Sequence, residues 1–384
     1  MTQQASPHKK QVRLLEIDVL RGLAVLAVFV THFRIHFKAD LPNWILELPL
    51  GLGARGVLLF LVLSGFCIHL RAARSSDLGH SLDFIGFWKR RIVRLYPPYL
   101  ATLAITFISM TALAYFGSKP LWPPLGYSTE EFMLDLGGHL LMLHIFLPQT
   151  ALGFWNSSLW SLALEEQLYL LYWFYLKLRR QYGPFKLLSF VIVLSLLYRA
   201  FILFNPWYPA QPELATVVGS SVFLLHAPSH LPEWCLGALA VEAYLGRISL
   251  PEWCFKWQTI ALAFSAAFLC EIYSIYLFKD LCYGLAFFFV LNWCCLRGKS
   301  QPLKGLAWNL LAKVGLRSYA LYLLHIPTLI VLDGFLYLTY LDFLPLRLAT
   351  LIAGPFLLMH FFYEWIEKPF ILRSQKITVI KTAG

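Results

Sequence analysis

The chain has 384 residues, of which 59% are hydrophobic and only 14% are charged, whereas soluble domains carry about 25% charged residues. This composition excludes an ordinary soluble protein. The net charge of +11 does not indicate nucleic-acid binding, because the sequence shows no contiguous basic face.

Apolar segments of about 20 residues recur along the chain, and each is long enough to cross a hydrocarbon layer of about 30 Å. Backbone polar groups in lipid must be satisfied internally, so these segments are predicted to be helices. The sequence therefore predicts an all-α, polytopic transmembrane bundle of about ten spans, near residues 16–37, 50–70, 93–116, 159–176, 186–204, 218–243, 257–277, 281–297, 314–340 and 346–367. A shorter apolar stretch near 138–147 is predicted to lie in the interface or to re-enter the membrane.

The Lys and Arg residues are unevenly distributed between successive connections. If the N-terminus is placed in the cytoplasm, 24 of the 32 Lys and Arg residues fall in cytoplasmic segments. This positive-inside pattern favours an even number of spans with both termini in the cytoplasm. The first apolar segment is too long for the core of a cleavable signal peptide.

Asp18, Arg21 and His32 lie in the first predicted span. Ionisable residues inside a membrane are costly and are therefore functional candidates. Asp18 and Arg21 are three residues apart and can pair on one helical face, and His32 lies about 16 Å farther along the helix. The simpler alternative is an interfacial salt bridge with a histidine that reaches the membrane surface.

The segment FWKRRIVRLYPPY leads into the third span and contains Arg90, Arg91 and Arg94. A helix would bring the three guanidinium groups together, and guanidinium groups suit bidentate binding of phosphate. The alternative is an ordinary cytoplasmic anchor.

The segment SSLWSLALEEQLYLLYWF opens another span with Ser161, Glu165 and Tyr169 along one stripe of a helix. A carboxylate at this depth should face protein or water rather than lipid. Glu166 is an alternative carboxylate, and a purely structural hydrogen-bond network is the alternative to a site. The long connection before this segment, residues 117–158, is the first candidate for contact with an external substrate.

His325 lies midway along a later span, two residues before Pro327. It is either a supporting group of the site or a buried structural histidine. The spacings of the histidines and cysteines match no metal-binding motif, so no metal site is predicted. Together, the arginine cluster on one side and the histidine and carboxylate near the other suit a phosphate-bearing donor and an acceptor that arrive from opposite faces.

At these residues the chain resembles the acyltransferase family 3 membrane proteins, which acylate hydroxyls of cell-surface carbohydrates and related molecules. The matching features, in chain order, are Arg21 and His32 as R-x10-H, GVLLFLVLSGFCI at 56–68, the RxxR element in 87–99, SLALEEQLY at 161–169 as SLxxExxxY, LRSYALYLLHIP at 316–327 and YEWIEKPF at 363–370. Two positions depart from the family pattern: Leu58 stands where an acidic residue is frequent, and Arg55 adds a charge just before that motif.

The resemblance implies a transmembrane acyltransferase domain over residues 14–372, with cytoplasmic tails at 1–13 and 373–384, in the bacterial inner membrane. It implies acyl-CoA, most often acetyl-CoA, as a co-substrate rather than a bound cofactor. The implied partners are a carbohydrate or glycolipid acceptor and the lipid bilayer, without nucleic acid. Lipopolysaccharide sugars, exopolysaccharide, peptidoglycan and a small secreted metabolite all fit as acceptors.

From the motifs and from the chemistry of imidazole we expect His32 to be the general base. Glu165 would orient its ring or hold the acceptor, and Arg21 would position the donor. Arg90, Arg91 and Arg94 would bind the phosphates of CoA, with support from Asp18, Ser161, Tyr169 and His325. An acyl intermediate on His32 is the alternative to direct transfer.

Two other classes of protein compete with an enzyme. A transporter or flippase for an anionic or glycan substrate also carries Arg, His and Glu inside the membrane, although no inverted repeat is evident. An assembly scaffold would depend on no single polar residue.

Overall fold

The computed structural model describes residues 14–36, 51–77, 80–117, 128–205, 221–300, 303–341, 343–377 and 380–382. The predicted N-terminal tail, 1–13, and part of the predicted C-terminal tail lie outside the described residues.

The described part of the chain is dominated by thirteen α-helices. They are α1 (Leu15–His36), α2 (Leu52–Asp77), α3 (Phe84–Phe116), α4 (Thr129–Leu140), α5 (Trp160–Tyr182), α6 (Pro184–Phe204), α7 (Ala227–Tyr244), α8 (Trp257–Ile272), α9 (Tyr276–Ser300), α10 (Leu306–Leu316), α11 (Ser318–Leu338), α12 (Leu344–Phe362) and α13 (Lys368–Gln375). Short 3₁₀ helices lie at His144–Phe146, Val222–Leu225 and Glu252–Phe255, and a π-helical turn at Tyr363–Glu367 joins α12 to α13.

Six helices of the described part are long and apolar enough to cross a membrane. They span Leu52–Arg74, Phe84–Phe116, Pro184–Phe204, Tyr276–Leu296, Ser318–Leu338 and Leu344–Gln375. Helices α8 and α10 are shorter apolar helices, and α1 and α5 carry several ionisable residues. The prediction of a helical membrane protein is confirmed, whereas a count of about ten spans is not confirmed by these six helices and stays a prediction.

Helix α1 packs against α2, α10 and α11. Its contact with α10 is close because two glycines face backbone atoms. A Cβ added to Gly22 would lie 2.3 Å from the carbonyl oxygen of Leu311, and one added to Gly315 would lie 1.7 Å from that of Asp18. Only glycine permits this approach, and it fixes the position of the α1 segment that contains Arg21.

A two-stranded antiparallel ribbon is a small departure from the expected all-α fold. It pairs β1 (His80–Leu82) with β2 (Ile380–Thr382). The ribbon joins the α2–α3 connection to the C-terminal end of the chain, and α13 packs against α3 nearby. It thus brings together two segments that the distribution of charge assigned to the same side of the membrane.

The segment between α3 and α5 packs into the bundle. The hydroxyl of Tyr96 donates to the carbonyl of Leu140 over 2.6 Å, and that of Tyr99 donates to the carbonyl of His139 over 2.9 Å. His139 and His144 are fully buried and stack with their ring centroids 3.9 Å apart. The short apolar stretch predicted near 138–147 therefore packs against α3 on one side, with its histidines buried, while apolar side chains on its other side stay exposed: Leu140, Leu141, Leu143, Phe146 and Leu147.

Candidate active site

Five helices, α1, α2, α3, α5 and α11, enclose a polar cavity of about 100 Å³. Six of the ten predicted site residues line it: Arg21, Arg91, Arg94, Ser161, Glu165 and Tyr169. The other lining residues are Val57, Phe60, Leu61, Ser64, Leu95, Leu162, Ser318, Tyr319 and Tyr322. Four predicted residues, Asp18, His32, Arg90 and His325, lie outside this lining.

The orientation of α3 in the bundle and the periodicity of α5 determine which of their predicted residues reach the cavity. Arg91 and Arg94 of α3 both line it, whereas Arg90 does not. Because Arg90 is four residues before Arg94 and lies near the same face, the rotation of α3 against its neighbours decides this difference. On α5, the spacing of four residues between Ser161, Glu165 and Tyr169 aligns their side chains. The three residues therefore enter the cavity as one stripe.

The arginines of the cavity are close enough to repel one another. Arg94 experiences the positive charges of Arg91 and Arg21 and the opposing negative charge of Glu367. The guanidinium of Arg91 lies over the Tyr169 ring, 4.9 Å from its centroid, which holds the group in place. An anion bound among these guanidinium groups would relieve their repulsion and accept charge-assisted hydrogen bonds.

The Glu165 carboxylate is held by neighbours on two other helices and on its own. Ser64 of α2 donates its hydroxyl to Oε1 over 2.5 Å. Arg21 of α1 interacts with Glu165 through charge, and the Tyr169 hydroxyl contacts the same carboxylate. A carboxylate with this many partners is fixed in orientation and can accept a hydrogen bond from a ligand in the cavity.

Two hydroxyl groups meet where α5 and α11 touch. The Tyr322 hydroxyl lies 2.7 Å from the carbonyl of Ser158, to which it donates its single proton. The Ser161 hydroxyl lies 2.5 Å from the same Tyr322 oxygen and is therefore the donor of that contact. Both hydroxyl protons are thus engaged by protein groups, so the free lone pairs of Ser161 can act only as acceptors towards a ligand in the cavity.

His32 and His325 form a pair of imidazole rings. Nδ1 of His32 lies 3.2 Å from Nε2 of His325, and the ring centroids are 4.9 Å apart. His325 is fully buried, whereas His32 is partly exposed. The sequence indicated the two residues separately, and the structure places them in contact.

Backbone carbonyls determine which nitrogen of each ring carries a proton. Nδ1 of His325 lies 2.8 Å from the carbonyl of Tyr322, and a carbonyl only accepts, so this nitrogen is the donor and Nε2 is the acceptor. Nδ1 of His32 must then donate to it, which agrees with its 3.0 Å contact to the carbonyl of Val28. Nε2 of His32 is left with a lone pair, and no group in the described part of the chain hydrogen-bonds to it.

The histidine pair lies next to one end of the cavity. Tyr322 lines the cavity, and its ring centroid is 5.8 Å from that of His325 and 6.0 Å from that of Phe60. His32 is eleven residues after Arg21, which places it on the same face of α1. Phe60 and Tyr322 therefore separate the polar cavity from the imidazole rings.

Reasoning from the sequence missed three residues of the site: Ser64, Tyr322 and Glu367. Each belongs to a segment that carries the family resemblance. Ser64 and Tyr322 are polar side chains within otherwise apolar helices, which was the available signal, whereas Glu367 stands beside other charged residues, Glu364 and Lys368. Glu367 is buried and lies in the π-helical turn, an irregularity that often marks functional sites. Among the described residues, no cluster of three or more His, Cys, Asp or Glu side chains is placed to hold a metal ion.

The fold and the site together define a polytopic helical membrane protein with an arginine-lined cavity inside its bundle and a histidine pair beside it. The chain belongs to the acyltransferase 3 family, whose acyltransferase-domain profile matches residues 14–361. The resemblance inferred from the motifs is therefore confirmed.

Curated relatives agree with this family. The peptidoglycan O-acetyltransferase OatA of Listeria monocytogenes is 26% identical over 371 residues, covering 92% of this chain and 55% of that protein. The putative peptidoglycan O-acetyltransferase YrhL of Bacillus subtilis is 25% identical over 371 residues, covering 94% and 55%. Acyltransferase MdmB of Streptomyces mycarofaciens is 32% identical over 174 residues, covering 44% and 41%. This chain thus spans about half the length of the curated relatives it matches, and no solved structure matches it.

Proposed function

We propose that this protein is a membrane-embedded O-acetyltransferase that moves an acetyl group from acetyl-CoA to a hydroxyl of a cell-surface or exported carbohydrate. The observation that carries the proposal is the convergence of Arg21, Arg91, Arg94 and Glu165 in one cavity beside the His32–His325 pair. Membership of the acyltransferase 3 family and the O-acetyltransferase names of two relatives support the same activity.

The donor would bind through its phosphates. Arg91 and Arg94 offer guanidinium groups at the cavity, and Arg71 and Arg90 lie close enough to both to add to the positive field. The volume of about 100 Å³ is well below the roughly 300–1,000 Å³ of pockets that hold larger ligands. This size favours a short acyl group, so the CoA nucleotide would remain outside among the arginines.

His32 would act as the general base. Its Nε2 atom carries a lone pair and can accept the proton of the attacking hydroxyl. The hydroxyl oxygen bonds to the thioester carbon, the carbon–sulfur bond breaks, and the proton passes from His32 to the departing sulfur. Arg21, about 16 Å from His32 along α1, would position the donor, and a shift of the Phe60 or Tyr322 ring would join the cavity to the histidine pair.

The acceptor would be held by groups that accept hydrogen bonds from the hydroxyls of a sugar. Glu165 and Ser161 provide oxygen acceptors along one stripe of α5. Peptidoglycan appears in the names of two relatives, and it is one member of the wider class of surface glycans that this site suits.

We also place the protein in the bacterial inner membrane with both termini in the cytoplasm. The distribution of Lys and Arg supports this topology, as does the pairing of the α2–α3 connection with the C-terminal strand. The acyl-CoA-binding arginines would then face the compartment that contains acyl-CoA.

The decisive experiment follows acetyl-CoA consumption and acetyl transfer by purified protein in nanodiscs. The wild-type protein is expected to release free CoA and to acetylate surface glycan fragments, detected as acetyl esters by mass spectrometry. His32→Ala should lower the rate by about 10²–10⁴-fold, the usual contribution of a general base. His360→Ala is the matched control, because His360 is exposed on α12 and away from the cavity.

Two results would overturn the proposal. If a correctly inserted His32→Ala protein transfers acetyl at the wild-type rate, His32 is not the general base. A wild-type protein that moves a glycan across the membrane without consuming acetyl-CoA would be a transporter instead. Ping-pong kinetics would favour an acyl-His32 intermediate over direct transfer.

A further inference from the structure

A second recess, distinct from the polar cavity, opens between α1, α2, α8 and α9. It is an apolar groove of about 760 Å³, within the size range of pockets that hold whole ligands. Its lining is Leu20, Leu23, Ala24, Ala27, Leu52, Arg55, Gly56, Leu59, Phe264, Phe268, Glu271, Tyr283, Phe287 and Val290. On α1, these residues lie on a different face from Arg21 and His32, so the groove does not share the wall of the site described above.

One end of the groove is polar. Arg55 of α2 forms an ion pair with Glu271 of α8, and the Tyr283 hydroxyl donates to Oε2 of the same carboxylate over 2.8 Å. The guanidinium of Arg55 also lies 4.9 Å from the centroid of the Tyr283 ring. Both charged side chains retain some exposure, 12% for Arg55 and 29% for Glu271.

The position of this ion pair is that of a membrane boundary. Arg55 is in the first turn of α2, and Glu271 is in the last turn of α8, so the N-terminal end of one helix meets the C-terminal end of the other at the same level of the bundle. Away from this end, the groove is lined by aliphatic and aromatic side chains of α1 and of helices such as α9, which is long and apolar enough to cross the membrane. The groove therefore combines an apolar slot with paired charges at its rim.

We propose that this groove binds a zwitterionic membrane phospholipid of the phosphoethanolamine class. One acyl chain lies in the slot between α1, α2 and α8, the phosphate contacts Arg55, and the ammonium contacts Glu271. An empty apolar groove of this size would forfeit dispersion contacts along its whole lining, and lipid chains are the apolar molecules that surround spanning helices. Because Arg55 and Glu271 lie side by side, they complement a headgroup that carries both a phosphate and an ammonium group.

The bound lipid would help to hold α1 in its position against α2. The Gly53 amide donates to the Thr31 hydroxyl over 2.8 Å, and a Cβ added to Gly56 would lie 2.5 Å from the carbonyl of Ala24. These contacts tie α2 to α1 next to the groove. A chain packed beside them supports the helix that carries Arg21 and His32, although lipid binding itself does not depend on acyl transfer.

The test uses phosphatidylethanolamine with a photoactivatable diazirine in its acyl chain, incorporated into nanodiscs with the full-length protein. Cross-linked peptides are mapped by mass spectrometry. Cross-links are expected to concentrate on groove residues such as Leu23, Ala27 and Phe268. Ala27→Phe, which fills the slot, should lower this labelling several-fold. Leu197→Phe is the matched control, because Leu197 is exposed on α6 and is not part of the groove lining.

The headgroup is tested by competition. Unlabelled phosphatidylethanolamine should displace the probe more effectively than phosphatidylglycerol, and the Arg55→Leu/Glu271→Leu double variant should lose this preference while it keeps labelling in the slot. Labelling spread evenly around the bundle, or unaffected by Ala27→Phe, would overturn the site. Equal displacement by both lipids would overturn the zwitterionic headgroup. If Ala27→Phe fails to insert, the smaller Ala27→Leu substitution provides the same comparison.

Discussion

The side-chain amide of Asn156 donates a hydrogen bond of 2.9 Å to the backbone carbonyl of Leu323. Leu323 is four residues before Pro327, and proline has no N–H to offer the carbonyl of the preceding turn. Asn156 thus supplies the hydrogen bond that α11 lacks at this point. The contact anchors the segment before α5 to the part of α11 that contains Tyr322 and His325.

Removal of the Asn156 amide should destabilise the protein, and the loss should be larger when Pro327 is present than when it is replaced. Asn156→Ala leaves a buried carbonyl unsatisfied and is expected to cost about 1–3 kcal/mol. In a Pro327→Ala background, the helix regains its own N–H donor, so the same substitution should cost less. Unfolding of all four proteins in one detergent measures this coupling. An Asn156→Ala penalty that is identical in both backgrounds would contradict the assignment.

The two neighbouring arginines of α3 should differ in their effect on the donor. Arg91 lines the cavity and Arg90 does not. Loss of a hydrogen bond to a charged group costs about 1.5–3 kcal/mol, so Arg91→Ala should raise the KM for acetyl-CoA by roughly tenfold or more. Arg91→Lys should give a KM between those of the wild-type protein and Arg91→Ala. Arg90→Ala should have a smaller effect. Steady-state kinetics at varied acetyl-CoA concentration measures both KM values. Equal increases in KM for Arg91→Ala and Arg90→Ala would indicate that the donor binds to a diffuse basic surface.

His325 should be a positioning residue for His32. His325→Phe keeps a ring of similar size but removes the Nε2 acceptor. We expect kcat to fall by roughly 10–100-fold, by analogy with groups that fix the tautomer of a ligating histidine, while the KM for acetyl-CoA stays unchanged. His325→Gln, which offers an amide oxygen as acceptor, should recover part of the rate. If KM rises and both variants lose stability equally, His325 is only a packing residue.

The stacked histidines outside the spanning helices should make the protein sensitive to acid. Burial, together with the neighbouring His139, lowers the pKa of His144 from 6.5 to about 3. Below pH 6.5 the unfolded chain therefore binds a proton at this residue, whereas the folded chain does not. The free energy of unfolding consequently falls as the pH decreases towards 3. Between pH 7 and pH 5 the expected loss is about 2 kcal/mol.

His144→Phe is the variant that isolates this effect, because it keeps an aromatic ring and removes the titrating group. Apparent melting temperatures at one scan rate are compared at pH 7 and pH 5. The wild-type protein should lose more stability on acidification than the variant. Parallel losses in the two proteins would mean that other groups control the response to pH.

Composition and local spacing were sufficient for the class of protein and for much of its site. Low charge and recurrent apolar segments determine a helical membrane protein because lipid leaves backbone groups no other partner. The fixed period of the helix places Ser161, Glu165 and Tyr169 on one stripe and Arg91 and Arg94 on one face. These features depend only on neighbours along the chain.

Contacts between helices were decided by the tertiary structure alone. The sequence contained His32 and His325 as separate candidates, and it did not indicate that one fixes the proton of the other. It also did not separate Arg91 from Arg90 as a cavity residue or pair Asn156 with Leu323. The physical reason is that helical periodicity defines the faces of one helix, whereas the rotation and approach of two helices are set by packing, such as the glycine contacts that draw α10 against α1.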